Sequence, residues 1–120
     1  MIKYLPRHRE QNYGFNRSYI RQYYSDTAEN AVLIPDAVAV HLLHGYSPIN
    51  QYILIFDSKE AVADGSRPMI RLFAAAEQNF GAGLFDKPWV LQNGLYLCNS
   101  TTIETLTLGS ANTYFYVQVD

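Results

Sequence analysis

A single cysteine, Cys98, stands in the 120 residues, so no internal disulfide can form and no multi-cysteine zinc site can be assembled. Charge is also scarce: charged residues make up 17% against 48% hydrophobic, and the net charge is −2. That balance excludes general disorder and argues against a strongly basic nucleic-acid binder. No apolar run approaches the roughly 18–20 residues of a membrane-spanning helix. Met1-Ile2-Lys3-Tyr4-Leu5-Pro6 has no apolar stretch of the secretory-signal kind. Helical periodicity is missing over any long window, and no internal repeat is visible. The expectation is one soluble domain of a reducing compartment, because a chain of this length holds one core.

What is present divides near residue 30. Residues 1–24 carry Lys3, Arg7, Arg9, Arg17 and Arg21 against the one acid Glu10, together with Tyr4, Tyr13, Tyr19, Tyr23 and Tyr24. Their only aliphatic residues are Ile2, Leu5 and Ile20, too few for a core. Arg and Tyr join broad apolar area to hydrogen-bonding ends, so this composition suits a surface that packs on another surface. Residues 1–30 therefore read as an interface arm and 31–120 as the folded body. A disordered tail is the alternative. A helical turn over residues 16–24 is a further option, with Tyr19/Tyr23 and Ile20/Tyr24 at i,i+4 spacing.

Beyond residue 30 short apolar runs alternate with turn chemistry. The runs are Ala37-Val38-Ala39-Val40-His41-Leu42-Leu43, Tyr52-Ile53-Leu54-Ile55-Phe56, Pro68-Met69-Ile70-Arg71-Leu72-Phe73, Trp89-Val90-Leu91, Leu95-Tyr96-Leu97-Cys98-Asn99, Ile103-Glu104-Thr105-Leu106-Thr107-Leu108 and Tyr114-Phe115-Tyr116-Val117-Gln118-Val119. Asp64-Gly65, Asn93-Gly94 and Gly109-Ser110 punctuate them. This is the pattern of an all-β antiparallel sandwich or barrel. The alanines after Leu72 compete as a helix former, but the stretch reads as a strand entering an irregular connection over residues 74–85. In the last run Phe115, Val117 and Val119 share one face, and Tyr114, Tyr116 and Gln118 the other. Tyr52-Ile53-Leu54-Ile55-Phe56 is apolar on both faces and reads as a central strand. The tyrosine-lined face of the last strand needs a cover, for which the arm or a neighbouring subunit is the natural candidate.

No reacting constellation can be assembled. His41 and His44 would be neighbours on a helix but diverge on a strand, against a metal site. Ser47 is followed by Pro48 and lacks a nucleophile elbow, so it reads as a turn residue. Cys98 reads as a small strand filler rather than a nucleophile. Asp57, Glu60 and Asp64 lack the ligand alternation of a calcium loop and read as a solvated connection ending in a turn. Gly81-Ala82-Gly83 is too short for a phosphate loop and has no lysine. The arm's Arg and Tyr could pair phosphates and stack bases, but its few cations and the acidic body favour a protein interface. No cofactor, membrane or catalytic residue is expected.

The body resembles small jelly-roll-like β-sandwich virion proteins of tailed bacteriophages, of the decoration, cement or minor head and tail type. The matching features are Ile55-Phe56-Asp57 for an I-x-D strand end and Leu91-Gln92-Asn93-Gly94-Leu95-Tyr96 for an F-x-x-G-L-Y segment. A Thr/Ser-rich hairpin and the closing Val117-Gln118-Val119 follow. The likeness covers about residues 31–120. The connection over 74–85 and the Tyr/Arg segment depart from it and leave the position on the particle open. The resemblance implies a non-enzymatic virion protein, made in the host cytoplasm and oligomeric, with a trimer favoured. It would dock on the major capsid protein or other virion proteins through an extended arm, with Arg7, Arg9, Tyr13, Phe15, Arg17, Tyr19, Arg21, Tyr23 and Tyr24 as the contacts. A carbohydrate- or receptor-binding module of a fibre or tail, stacking ligands on exposed tyrosines or Trp89, is the alternative.

Overall fold

The computed structural model describes residues 2–4, 21–84 and 86–120, and among these every regular element is a strand. In chain order they are β1 (Ile2–Tyr4), β2 (Arg21–Tyr24), β3 (Ala31–Ile34), β4 (Val38–Ser47) and β5 (Gln51–Asp57). Then come β6 (Ile70–Ala74), β7 (Gln78–Gly83), β8 (Trp89–Leu91), β9 (Leu95–Ser100) and β10 (Tyr114–Val119). The first sheet runs β1-β3-β9-β5-β6 and the second β2-β10-β4-β7, with β8 pairing the start of β4. β1 lies parallel to β3; the other pairings are antiparallel. The sheets pack face to face, which makes the all-β sandwich that the strand texture predicts.

Alternation fills the space between the sheets. Val32 and Ile34 of β3, Ile53 and Ile55 of β5, and Leu95 and Leu97 of β9 meet Val40 and Leu43 of β4 and Phe115, Val117 and Val119 of β10 in one buried cluster. Phe80 of β7 meets Phe115 edge-on, with centroids 6.2 Å apart, the arrangement that the ring quadrupoles prefer. Gly45 sits where the Phe80 ring and the backbone of β10 leave no room: a Cβ there would stand 2.0 Å from the Tyr114 carbonyl oxygen and 2.6 Å from the Phe80 ring.

The first sheet has a second apolar layer on its outer face. Register places Ala31 and Leu54 on either side of Cys98, and Leu33 and Phe56 on either side of Tyr96. All six are buried, with Leu106 inserted among them and Tyr52 and Val62 at the margin. Two loops form this lid. The Gly65 and Leu106 amides donate to the carbonyls of Leu106 and Ser66 (2.8 and 2.9 Å), and the Leu108 amide donates to Asp64 Oδ1 (3.0 Å). Burying Leu106 contributes about 2 kcal/mol.

Three local readings differ from the structure. Residues 103–108 are a loop with a single bridge, Ser100 to Leu108, not a strand. Ser100 Oγ accepts from the Thr102 and Thr107 amides, and Thr102 Oγ1 donates to the Thr105 carbonyl, so hydroxyls occupy backbone groups that a ladder would use. Residues 78–83, expected to be irregular, form β7 on the strength of the paired edge of β4. Arg21–Tyr24, offered as a helical turn, is strand β2 on β10. The Tyr/Arg segment expected as an arm over 1–30 thus has one stretch in each sheet, β1 and β2.

At one end of the sandwich a buried amide network ties loop to strand. Gln51 Nε2 donates to Ser47 Oγ (2.8 Å), Thr113 Oγ1 (2.8 Å) and Asn112 Oδ1 (3.1 Å), while Gln51 Oε1 accepts from Asn99 Nδ2 (2.9 Å). Removing such a hub leaves several buried groups unpaired at once. Gln51→Ala is expected to lower unfolding stability by roughly 1–3 kcal/mol in urea titration. A change under about 0.5 kcal/mol would show that the network adds nothing.

Candidate interaction face

The groups that chemistry would need are held in structural roles. Cys98 is fully buried, and burial first, then the Asp64 charge, pushes its thiol up to about 12, far from thiolate character. Burial likewise lifts the Tyr96 phenol to about 12. Ser47, read as a turn residue, is the buried last residue of β4, and its Oγ donates to the Ile49 carbonyl in the turn that follows (2.6 Å). His41 faces Asp120 at 3.2 Å, whereas His44 stacks on Tyr116 with centroids 4.6 Å apart, so the two histidines have different partners. Among the described residues no group of three or more His, Cys, Asp or Glu converges as a metal site.

Asp57 closes the turn between β8 and β9. Its carboxylate accepts the amides of Asn93 (2.8 Å), Gln92 (3.2 Å) and Gly94 (3.4 Å). Partial burial opposes the charged form, but these backbone donors outweigh it and hold the carboxyl below its ordinary value. A folded-state pKa below the unfolded one stabilises the fold above the unfolded pKa, and that stability is lost as pH falls through the folded pKa. Asp57→Asn is therefore expected to cost about 1 kcal/mol at neutral pH, the scale of a lost side-chain cap. In denaturation curves taken at several pH values, the gap from wild type should close below about pH 4. A gap constant with pH would contradict the assignment.

The solvent-facing surface of the second sheet is of another kind. Strand register sets Tyr24, Tyr116, His44 and Gly81 abreast across β2, β10, β4 and β7. Two residues along, Tyr114, Tyr46 and Asn79 form the next row; on the other side Gln22, Gln118, Leu42 and Gly83 form a third. Tyr24 is 69% exposed, Tyr114 44% and Tyr46 38%. Inward and outward positions alternate along β10 as its sequence predicts.

Of the nine residues expected as docking contacts, Arg7, Arg9, Tyr13, Phe15, Arg17 and Tyr19 lie outside the described residues. Pleating divides the other three. Arg21 is buried, and its Nη2 donates to Asp36 Oδ2 at 3.4 Å. Tyr23 packs on the inter-sheet core and donates to Glu29 Oε1 at 2.5 Å. Burial first, and then that bond, raise the Tyr23 phenol above its ordinary value. Tyr24 alone of the three points fully outward. Trp89, named as a stacking platform, is half-buried against the core. His44 and Tyr46 were missing from the expected contacts; the outward alternation of His44 and Tyr46 within β4 is the signal that finds them.

Comparison with models of protein families, with curated proteins and with solved structures finds no match for this chain.

Proposed function

We propose that the protein is a non-enzymatic structural component of a bacteriophage particle. In this reading it docks on the major capsid protein or another virion protein through its Arg/Tyr-rich N-terminal segment, with Arg7, Arg9 and Arg17 as the charged contacts. The sandwich is the rigid body that this segment fastens, and its jelly-roll-like kinship and self-association belong to the same proposal. One observation carries the reading: Asp57, Asp64, Glu29, Ser47, Ser100 and Cys98 serve turns, loops and core, while Tyr24, Tyr46 and Tyr114 of the second sheet stand exposed. Such a molecule offers surfaces for binding rather than groups for reaction.

The test is association with the particle. Tagged protein expressed during infection is expected to co-purify with assembled particles through a density gradient. The combined variant Arg7→Ala, Arg9→Ala, Arg17→Ala should reduce its occupancy about tenfold, since rim charges steer and hold protein contacts. Absence from purified particles, or unchanged occupancy of the variant, would overturn the proposal.

A further inference from the structure

Asn93-Gly94 is the single Asn-Gly step in the sequence, and such a step carries a chemistry of its own. The backbone nitrogen of the glycine lies within reach of the asparagine side-chain carbonyl. Its attack forms a bond from the Gly94 nitrogen to Asn93 Cγ and breaks the bond from Cγ to the side-chain nitrogen. The Gly94 proton departs with that nitrogen as ammonia, leaving a succinimide ring. Water then opens the ring to aspartate, or to isoaspartate where the main chain is left running through Cγ. Glycine permits the approach because it has no Cβ to obstruct it. The other described asparagines precede the bulkier Ala31, Gln51, Phe80, Ser100 and Thr113. At the related step Asp64-Gly65 both partners are firmly engaged: the Gly65 amide donates to the Leu106 carbonyl at 2.8 Å, and Asp64 Oδ1 accepts the Leu108 amide at 3.0 Å.

The fold grips the Asn93-Gly94 step from one side. Asn93 is exposed, so water reaches it, whereas Gly94 is buried. The Gly94 amide, which holds the attacking nitrogen, donates to Asp57 Oδ1 at 3.4 Å, the longest of the three bonds to that carboxylate. The Gly94 carbonyl accepts from the Ser58 amide at 3.0 Å. There is no slack around the residue: a Cβ on Gly94 would stand 2.6 Å from the Ile34 carbonyl oxygen and 2.7 Å from that of Ser58. Ring closure requires the nitrogen to leave Asp57 and swing toward Asn93 Cγ, so the closed turn withholds the nucleophile and the reaction runs from the locally opened turn. The product cannot re-form that turn. It sets a second carboxylate beside Asp57, and like charges repel. As isoaspartate it also lengthens the main chain by a methylene, against the neighbours that crowd Gly94. The bond between Ser58 and Gly94, where the first lid loop leaves β5, is lost with it.

We propose that Asn93 is a site of spontaneous deamidation held in check by Asp57, and that its conversion irreversibly loosens the turn between β8 and β9 and the lid loop that begins at Ser58. The inference stands apart from particle docking and needs no partner. The experiment holds the folded full chain at mildly alkaline pH, below its unfolding temperature, and reads deamidation site by site by peptide mass spectrometry. The same chain unfolded in guanidinium chloride is the reference. Asn93 is expected to convert before every other described asparagine, and more slowly in the folded chain than in the unfolded one. Asp57→Ala, shown to be folded by circular dichroism, should speed conversion of Asn93 about fivefold, the population change that accompanies loss of one such cap. Conversion of Asn50 and Asn79 should not change. Asp57→Ser, which keeps a single acceptor, replaces Asp57→Ala if the latter does not fold. Asn93→Asp, which copies the aspartate product, should unfold at a lower temperature than the wild type. Equal rates in the folded and unfolded chains, an Asp57 variant no faster than wild type, or earlier conversion at another described asparagine would overturn the site. An Asn93→Asp variant as stable as the wild type would overturn the loosening.

Discussion

Strands β3, β5 and β9 bury side chains on both of their faces, and the rest of the molecule is arranged around that demand. An antiparallel sheet ordinarily turns one side to water. Here the side turned away from the second sheet carries Ala31, Leu33, Leu54, Phe56, Tyr96 and Cys98, all buried. A surface of that size stays dry only under a cover. The loops after β5 and β9 supply one, joined to each other through Gly65, Ser66 and Leu106 and pinned by Asp64. Much of the chain's irregular length is explained by this single task.

The same demand decides where binding can occur. With the first sheet sealed by its own loops, acids such as Asp57 and Asp64 are committed to holding loops in place, and the thiol lies beneath the lid. The second sheet needs no lid, because its outward residues are tolerant of water: tyrosines with polar tips, amides, a histidine and glycines. One molecule thus has one sheet covered over β3, β9 and β5, with Phe73 of β6 left exposed at its edge, and another sheet that is open. The open face is the one whose side chains combine area with hydrogen bonding.

Most of the strands that fill the core were legible in the sequence as apolar runs between turn residues, although β3, with Val32 and Ile34 in the core, was not among them. β5, β8, β9 and β10 stand where their apolar runs lie, and the two-sided apolarity of β5 matches its place between β9 and β6. β7 was hidden because Gln78-Asn79-Phe80-Gly81-Ala82-Gly83 offers one large apolar side chain, and its strand geometry comes from β4 rather than from propensity. Residues 103–108 mislead in the opposite way, since Leu106 repeats the period of a strand while plugging the lid. The open face was half legible: Tyr114 and Tyr116 were readable from β10, but the juxtaposition of Tyr24, His44 and Tyr46 depends on register that no local pattern carries. The split in composition near residue 30 marks where edge strands give way to the interior, and the sheets themselves continue across it.

Tyrosine footprinting by nitration, read residue by residue with mass spectrometry, tests the contrast between sealed and open faces most directly. In the isolated folded protein Tyr24, Tyr46 and Tyr114 should be modified rapidly, and Tyr96 should remain unmodified until the protein unfolds. Modification of Tyr96 at a rate like theirs, or protection of all three of the others, would contradict the account.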